Sequence, residues 1–328
     1  MNQLGRRLAT SLGITLLCAV NANAGTVAGA FVSDYAIFEY AGPAGLATPF
    51  GGLTFDPANP NNIIIGGSAN TGSGAVYTVP VTRDSNGHIV AFGVPQLYSA
   101  GANIDGGLLF GPGGQLLFSQ FPSNGLGEII GPCSAGVPCN TIDKTVDLTA
   151  AGVSSSVGSI GIVPNGISGA GNFFIASYSS GQFYRATLSP DGSGALNVTN
   201  VTAGPNTGGG PEGMAWVSGG NPDFVSDSVL VSLYSQGKIE AYQVDGNGAP
   251  IIGTGRDFIT GLTGPEGAAI DPVTGDLLLS TSGRTNSISV VQGFQGPLQT
   301  EATVPEPATW GLLAGSLTLL AAFRRRKS

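Results

Sequence analysis

The sequence predicts an all-β protein, a β-propeller of five blades (six is the alternative count), carried between two short end segments. Three observations predict it. Glycine supplies 54 of the 328 residues, more than twice its average share, and each glycine inside a helix costs about 1 kcal/mol relative to alanine. A glycine-anchored unit recurs five times at a spacing of just over 50 residues. Each unit holds three or four short apolar runs divided by turn residues, the pattern of a propeller blade. A β-helix or a sandwich is the alternative use of the same runs. Disorder is excluded because 41% apolar residues supply a core that disordered chains lack. Collagen is excluded because the glycines keep no three-residue period.

The first run of each unit contains the anchor. Gly51-Gly-Leu-Thr-Phe-Asp-Pro57, Gly106-Gly-Leu-Leu-Phe-Gly-Pro112, Gly158-Ser-Ile-Gly-Ile-Val-Pro164, Gly210-Pro-Glu-Gly-Met-Ala-Trp216 and Gly264-Pro-Glu-Gly-Ala-Ala-Ile-Asp-Pro272 align. With Gly52, Gly107, Ser159, Gly213 and Gly267 as equivalents, the spacings are 55, 52, 54 and 54 residues. Small residues here suit an inner strand facing a crowded central channel.

The second runs are Ile63–Ile65, Leu116–Phe118, Phe173–Ile175, Val229–Val231 and Leu277–Leu279, ending in small residues such as Ser68, Ser119, Ser177, Ser232 and Ser280. Continuous apolarity fits a strand buried between neighbouring blades. Third strands are expected at Ala75–Val79, Glu128–Ile130, Gln182–Ala186, Lys238–Tyr242 and Ser287–Val291. Polar turns follow at Asp84–Gly87, Asp191–Gly194 and Asp245–Gly248, with the Asp, Asn and Gly that tight turns require. A weaker fourth strand completes most units, as at Ile89–Phe92 and Ala195–Val198. The last unit lacks one, while Ala36–Tyr40 has no unit of its own; the two are expected to pair and close the ring.

The ends read as addresses. Arg6-Arg7, an apolar run from Leu8 to Val20 and Ala22-Asn-Ala24 make residues 1–24 a secretory signal peptide. At the C-terminus, Val304-Pro305-Glu306-Pro307 precedes an apolar run from Ala308 to Phe323, then Arg324, Arg325, Arg326 and Lys327. As a helix this run reaches about 24 Å, short of a hydrocarbon core of about 30 Å. The basic end would hold the last residues on the cytoplasmic side and leave the preceding domain outside.

This tail, residues 303–328, resembles the PEP-CTERM sorting signal of Gram-negative bacteria, with Pro305-Glu306-Pro307 as its tripeptide. The resemblance implies export through the inner membrane by way of signal peptidase. It further implies transient anchoring by a C-terminal helix and processing by the protease-transpeptidase exosortase. Association with extracellular polysaccharide, surface proteins or biofilm is implied as well.

Between the ends, residues 25–302 form the propeller domain. Residues 25–304 carry six basic against nineteen acidic residues, a net charge of −13. So few cations argue against nucleic acid, whose binding needs Lys and Arg on phosphates, and against anionic lipid. Of the three cysteines, Cys18 leaves with the signal peptide. Cys133 and Cys139, six apart in a turn-rich loop of an exported protein, are expected to form a disulfide.

Candidate chemistry is sparse, and no residue is assigned a catalytic role. The two Gly-Pro-Glu-Gly motifs place Glu212 and Glu266 at equivalent starts of adjacent inner strands, where their carboxylates would point to one mouth of the channel. With Asp271, Asp56 and Asp105 they are candidates for Ca²⁺, which takes 6–8 oxygen ligands; the bland alternative is that each Glu caps backbone N–H groups. His88 reads as an exposed turn residue. Tyr35, Phe38, Tyr40, Phe121, Tyr178, Tyr184, Trp216, Tyr234 and Tyr242 lie on or beside strands, where they pack blades or stack on sugar rings.

The Pro-Glu-Gly strand starts loosely resemble those of the NHL and SMP-30/gluconolactonase propellers, which implies acidic residues at the channel mouth holding a water-activating divalent ion. Three functions follow as expectations. The first is an exported binding module at the cell surface or in the matrix. The others are a metal-dependent lactonase-like hydrolase and a purely structural biofilm or coat protein.

Overall fold

A computed structural model describes residues 25–134, 137–139, 141–283 and 285–296. The expected signal peptide, residues 1–24, and the expected C-terminal sorting helix lie outside the described residues. Among the described residues, no helix is long and apolar enough to cross a membrane.

The chain enters through β1 (Thr26–Val27) and β2 (Ala36–Ala41) and then builds five antiparallel sheets in sequence. The first contains β3 (Phe50–Asp56), β4 (Asn59–Gly67), β5 (Ala75–Arg83), β6 (Ile89–Phe92) and β7 (Gln96–Ala100). The second contains β8 (Ile104–Phe110), β9 (Leu116–Gln120), β10 (Gly125–Ile129) and β11 (Lys144–Asp147). The third contains β12 (Val157–Ile162), β13 (Phe173–Ser177), β14 (Gln182–Pro190) and β15 (Leu196–Asn206). The fourth contains β16 (Pro211–Val217), β17 (Ser228–Leu233), β18 (Lys238–Gln243) and β19 (Arg256–Thr260). The fifth contains β20 (Pro265–Ile270), β21 (Leu277–Thr281) and β22 (Ser287–Gln292). Each blade runs from its inner strand outward in chain order, so the fold is a five-blade propeller.

The ring closes as expected. β2 pairs antiparallel with β22 from Ala36↔Gln292 to Ala41↔Ser287 and supplies the missing fourth strand of blade 5. Two outer features differ from the sequence reading. Ile89–Phe92 is only a hairpin extension of β5, and the fourth strand of blade 1 is β7, which pairs with β5 from Ala75↔Ala100 to Thr78↔Gln96. Gln96–Ala100 buries only Ser99, so it leaves no apolar run that stands out. β1 adds a fifth strand to blade 4 through Thr26↔Thr260 and Val27↔Ile259. Two residues are too short to leave a periodic signal.

The second strands β9, β13, β17 and β21 are buried almost throughout, because each is sandwiched between two blades. Between blades 4 and 5 the loop after β1 inserts Phe31 and Tyr35 against Phe224, Phe258 and Phe294. The Arg256 guanidinium lies 4.6 Å from the Phe31 ring centroid, and Tyr35 Oη donates to the Pro222 carbonyl at 2.8 Å. Cys133 and Cys139 are disulfide-bonded, with Cα atoms 5.3 Å apart. The Cys139 N–H and carbonyl bond to Tyr98 and Ala100, which ties this blade 2 loop to β7.

The inner strands β3, β8, β12, β16 and β20 line the channel, and their anchors touch. A Cβ on Gly107 would lie 2.8 Å from Ile160 Cγ1, and one on Gly267 would lie 2.7 Å from Gly52 Cα. Serines on second strands staple this ring. Ser119 Oγ accepts the Gly107 N–H and donates to the Gly158 carbonyl of the next blade, both at 2.8 Å. Ser280 Oγ does the same between Gly267 and Gly51, at 3.0 and 2.7 Å.

Candidate functional site

Every inner strand carries a β-bulge at its start. A bulge turns an extra side chain out of the ladder and into the channel. In blades 4 and 5 the bulged residues include Glu212 and Glu266. In blades 1 and 3 the equivalent positions are Gly51 and Gly158, which leave room. Gly106 and Gly158 face Glu212 so closely that a Cβ on either would lie 2.7 or 2.9 Å from Glu212 Oε2. The Glu212 side chain therefore reaches across the channel toward blades 2 and 3.

Blade 2 contributes the third acid. Its bulge sets five residues of β8, Ile104 to Leu108, against three of β9, Gln120 to Phe118. The other blades insert one extra residue where blade 2 inserts two. Asp105, one position earlier than the two glutamates in the repeat, consequently reaches the same place. Carboxylate oxygens of Asp105, Glu212 and Glu266 all lie within 4.8 Å of one another.

The three groups are 3%, 5% and 2% exposed, so desolvation penalises their charged forms and dominates their titration. Burial pushes Asp105 up to about 8, against hydrogen bonds from the Asn70 side chain and the Gly106 N–H that act the other way. Glu212 is raised by burial and by the charges of Asp105 and Glu266, opposed by the Gly106 N–H. Glu266 is raised by burial and by Asp105, opposed by the Ser282 hydroxyl. Glu212 thus meets a backbone N–H, as the capping alternative expected, whereas the donor to Glu266 is a side-chain hydroxyl. The remaining oxygens, Glu212 Oε2 and Glu266 Oε2, are buried with no hydrogen-bond partner. Among the described residues, no Lys, Arg or His is ion-paired with any of the three.

A partial aromatic rim stands over this mouth. Two residues beyond the second-strand equivalents Ser119, Ala176 and Ser232 come Phe121, Tyr178 and Tyr234, while blades 1 and 5 place Ser68 and Ser282 there. The Tyr178 and Tyr234 rings meet edge to face with centroids 6.0 Å apart. The Tyr234 hydroxyl is raised by burial and then by Glu266, Tyr178, Glu212 and Asp105, which sets it beside the cluster. Phe121 is 39% exposed.

Other candidates fall elsewhere. Asp271 ends β20 at the opposite mouth, fully buried, and its carboxylate takes two hydrogen bonds from Arg83, at 2.6 and 3.0 Å. Asp56 also lies at the far end of its strand and caps the Ala58 N–H at 2.9 Å. His88 is not an exposed turn residue: its Nδ1 lies 2.7 Å from Asp276 Oδ2, because the β5–β6 hairpin packs on the β20–β21 turn of blade 5. Tyr35, Tyr184, Trp216 and Tyr242 are buried between blades, and Phe38 is an exposed residue of β2.

Beyond the anchor ring the channel widens into a cavity of about 1080 Å³ that opens on the opposite face. Leu108, Phe110, Ile162, Met214, Trp216 and Ile270 are among its lining residues. The channel is therefore polarised, acidic at the start of the inner strands and apolar at their ends.

A search of the curated proteins returned no match. Among solved structures, the PQQ domain of pyranose dehydrogenase from Coprinopsis cinerea is similar at 12% identity and a TM-score of 0.46, covering 83% of this chain and 98% of that one. A candidate gluconolactonase is similar at 14% identity and a TM-score of 0.42, covering 84% and 100%. A candidate 6-phosphogluconolactonase from Bacteroides uniformis is similar at 13% identity and a TM-score of 0.39 over 73% of this chain, which spans 66% of that protein's length. Likeness this distant transfers neither substrate nor cofactor. Residues 303–327 match the family model of the PEP-CTERM protein-sorting motif. The chain thus carries a PEP-CTERM sorting motif, which marks an exported, exosortase-sorted protein whose described domain is a five-blade β-propeller.

Proposed function

We propose that the propeller is a binding module of the cell surface or extracellular matrix, and that its acidic mouth holds a divalent cation on Asp105, Glu212 and Glu266. The observation that carries this reading is the pair of orphaned oxygens, Glu212 Oε2 and Glu266 Oε2, in a buried cluster with no basic partner among the described residues. A buried carboxylate needs a proton, a donor or a cation, and an all-oxygen donor set suits Ca²⁺ over softer metals. Bound Ca²⁺ would supply fixed positive charge beneath Phe121, Tyr178 and Tyr234. That combination favours a ligand with an apolar or sugar-ring face and an anionic or hydroxyl group. Polysaccharide and surface proteins are the partner classes that fit.

The same site tests the hydrolase alternative. Purified mature protein is titrated with Ca²⁺ after chelation, with melting temperature and calorimetry as readouts, and then assayed on sugar lactones. Saturable binding without lactone hydrolysis supports the binding module, whereas metal-dependent hydrolysis lost in Glu212→Gln replaces it with the enzyme. Indifference to both Ca²⁺ and chelator removes the metal site.

The tail sets where the module works. Removing residues 303–328 is expected to release the propeller from the sorting route, read as loss of surface-associated protein and its appearance in the medium.

A further inference from the structure

We propose that the apolar stretch of the C-terminus, residues 308–323, docks into the apolar mouth whenever it is outside a membrane. This inference does not rest on the cation reading, which concerns the other end of the channel.

Three observations point there. The first is the cavity itself, about 1080 Å³ and walled by apolar side chains. The second is where the chain leaves the propeller. β22 ends at Gln292 on the apolar-mouth face, and Gly296 packs against Gly275 in the β20–β21 turn. The Gln295 N–H donates to Asn221 Oδ1 at 2.7 Å, in the β16–β17 connection. Pro272 of the β20–β21 turn lines the cavity, so the tail departs from the cavity's rim. The 12 residues from Gly296 to Ala308 span up to about 40 Å when extended, enough to bring the apolar stretch over the opening.

The third observation is charge. Connections on this face expose Asp34, Asp84, Asp223 and Asp245, and also Asp191, which pairs with Lys144 at 2.9 Å. The tail ends in Arg324, Arg325, Arg326 and Lys327. An apolar segment with a basic end complements an apolar opening on a face whose connections expose acids. The same acids make this face a poor match for an anionic lipid surface, which attracts basic segments. Apolar Val32, Val225, Ile251, Ile252 and Val273 are also exposed on these connections, and a docked tail would cover part of them. Docking would hide the apolar sorting segment during transit and release it to a membrane.

The test uses the unprocessed chain, residues 25–328, in dilute detergent-free solution. Hydrogen exchange of residues 308–323 is expected to be at least tenfold slower than in the isolated tail peptide. Thr54→Cys on the cavity wall with Leu317→Cys in the tail is expected to form an intrachain disulfide on mild oxidation, alongside the native pair. Reversing Arg324, Arg325 and Arg326 to Glu should lower that yield several-fold. Tail amides that exchange as in the free peptide overturn the proposal, and so does cross-linking only between chains, which would place the tail on a second copy. Protection without any cross-link to Thr54, in a double-cysteine variant that melts like the parent, overturns it as well.

Discussion

Neutralising one carboxylate of the acidic mouth is expected to stabilise the metal-free protein and to abolish its response to Ca²⁺. Glu212→Gln keeps the shape that lies across the channel and removes one of three charges. With the oxygens within 4.8 Å of one another, each ionised pair repels by about 3–4 kcal/mol at an effective dielectric of about 20. Glutamine at 212 deletes two of the three pairs. The effect has a definite pH sense. Burial raises these groups, Asp105 to about 8, so the native state holds protons that the unfolded chain has released. Metal-free stability is therefore full below about pH 4, where both states are protonated, and falls as pH rises toward 8. Ca²⁺ at a hundredfold excess over its Kd adds about 2.7 kcal/mol. For a domain of this size that is about 5–10 °C in Tm, and it should flatten the pH profile. Thermal melts at pH 5 and pH 8, with chelator or Ca²⁺, read all of this. A Tm that ignores Ca²⁺ at pH 8, together with a Glu212→Gln variant less stable than the parent, would refute the reasoning and leave the carboxylates as caps of Gly106 and Ser282.

Gly106→Ala should lower stability by about 1–3 kcal/mol and weaken Ca²⁺ binding, because the added Cβ meets Glu212 Oε2 at 2.7 Å; calorimetry reads both. Arg83→Met strands the fully buried Asp271 across the seam between blades 1 and 5. It should cost about 3–5 kcal/mol in urea unfolding, largely restored by adding Asp271→Leu. Cys133→Ser should cost about 2 kcal/mol on the loop-entropy model and leave one free thiol by titration, against none in the mature parent.

Much of the fold was legible because a repeat shows its period wherever its parts must satisfy the same constraint. Second strands such as Val229–Val231 are buried on both faces, so they read as apolar runs. Anchors such as Gly52 and Gly107 meet backbone from the neighbouring blade, so they read as small residues. Ala36–Tyr40 could be matched to the last blade because one lacked a unit and the other a strand. β7 and β1 escaped because outer strands tolerate exposed polar residues and one inner neighbour is enough to hold them.

At the site, sequence reasoning found Glu212 and Glu266 through their shared motif. It offered Asp271, Asp56 and Asp105 as further ligands and put Asp271 first. A β8 bulge one residue longer than those of the other blades sets Asp105 among the glutamates, while strand direction carries Asp56 and Asp271 to the other mouth. The only local sign was an acid at the start of an otherwise apolar run, Ile104-Asp105-Gly106-Gly107-Leu108. By itself the sequence determined the all-β class, the five modules and the exported address. Tertiary structure alone decided which carboxylates converge, that two of their oxygens go unpaired and that the tail leaves beside the apolar opening. Those facts depend on bulge register and on contacts between residues far apart in the sequence, and no local pattern encodes either.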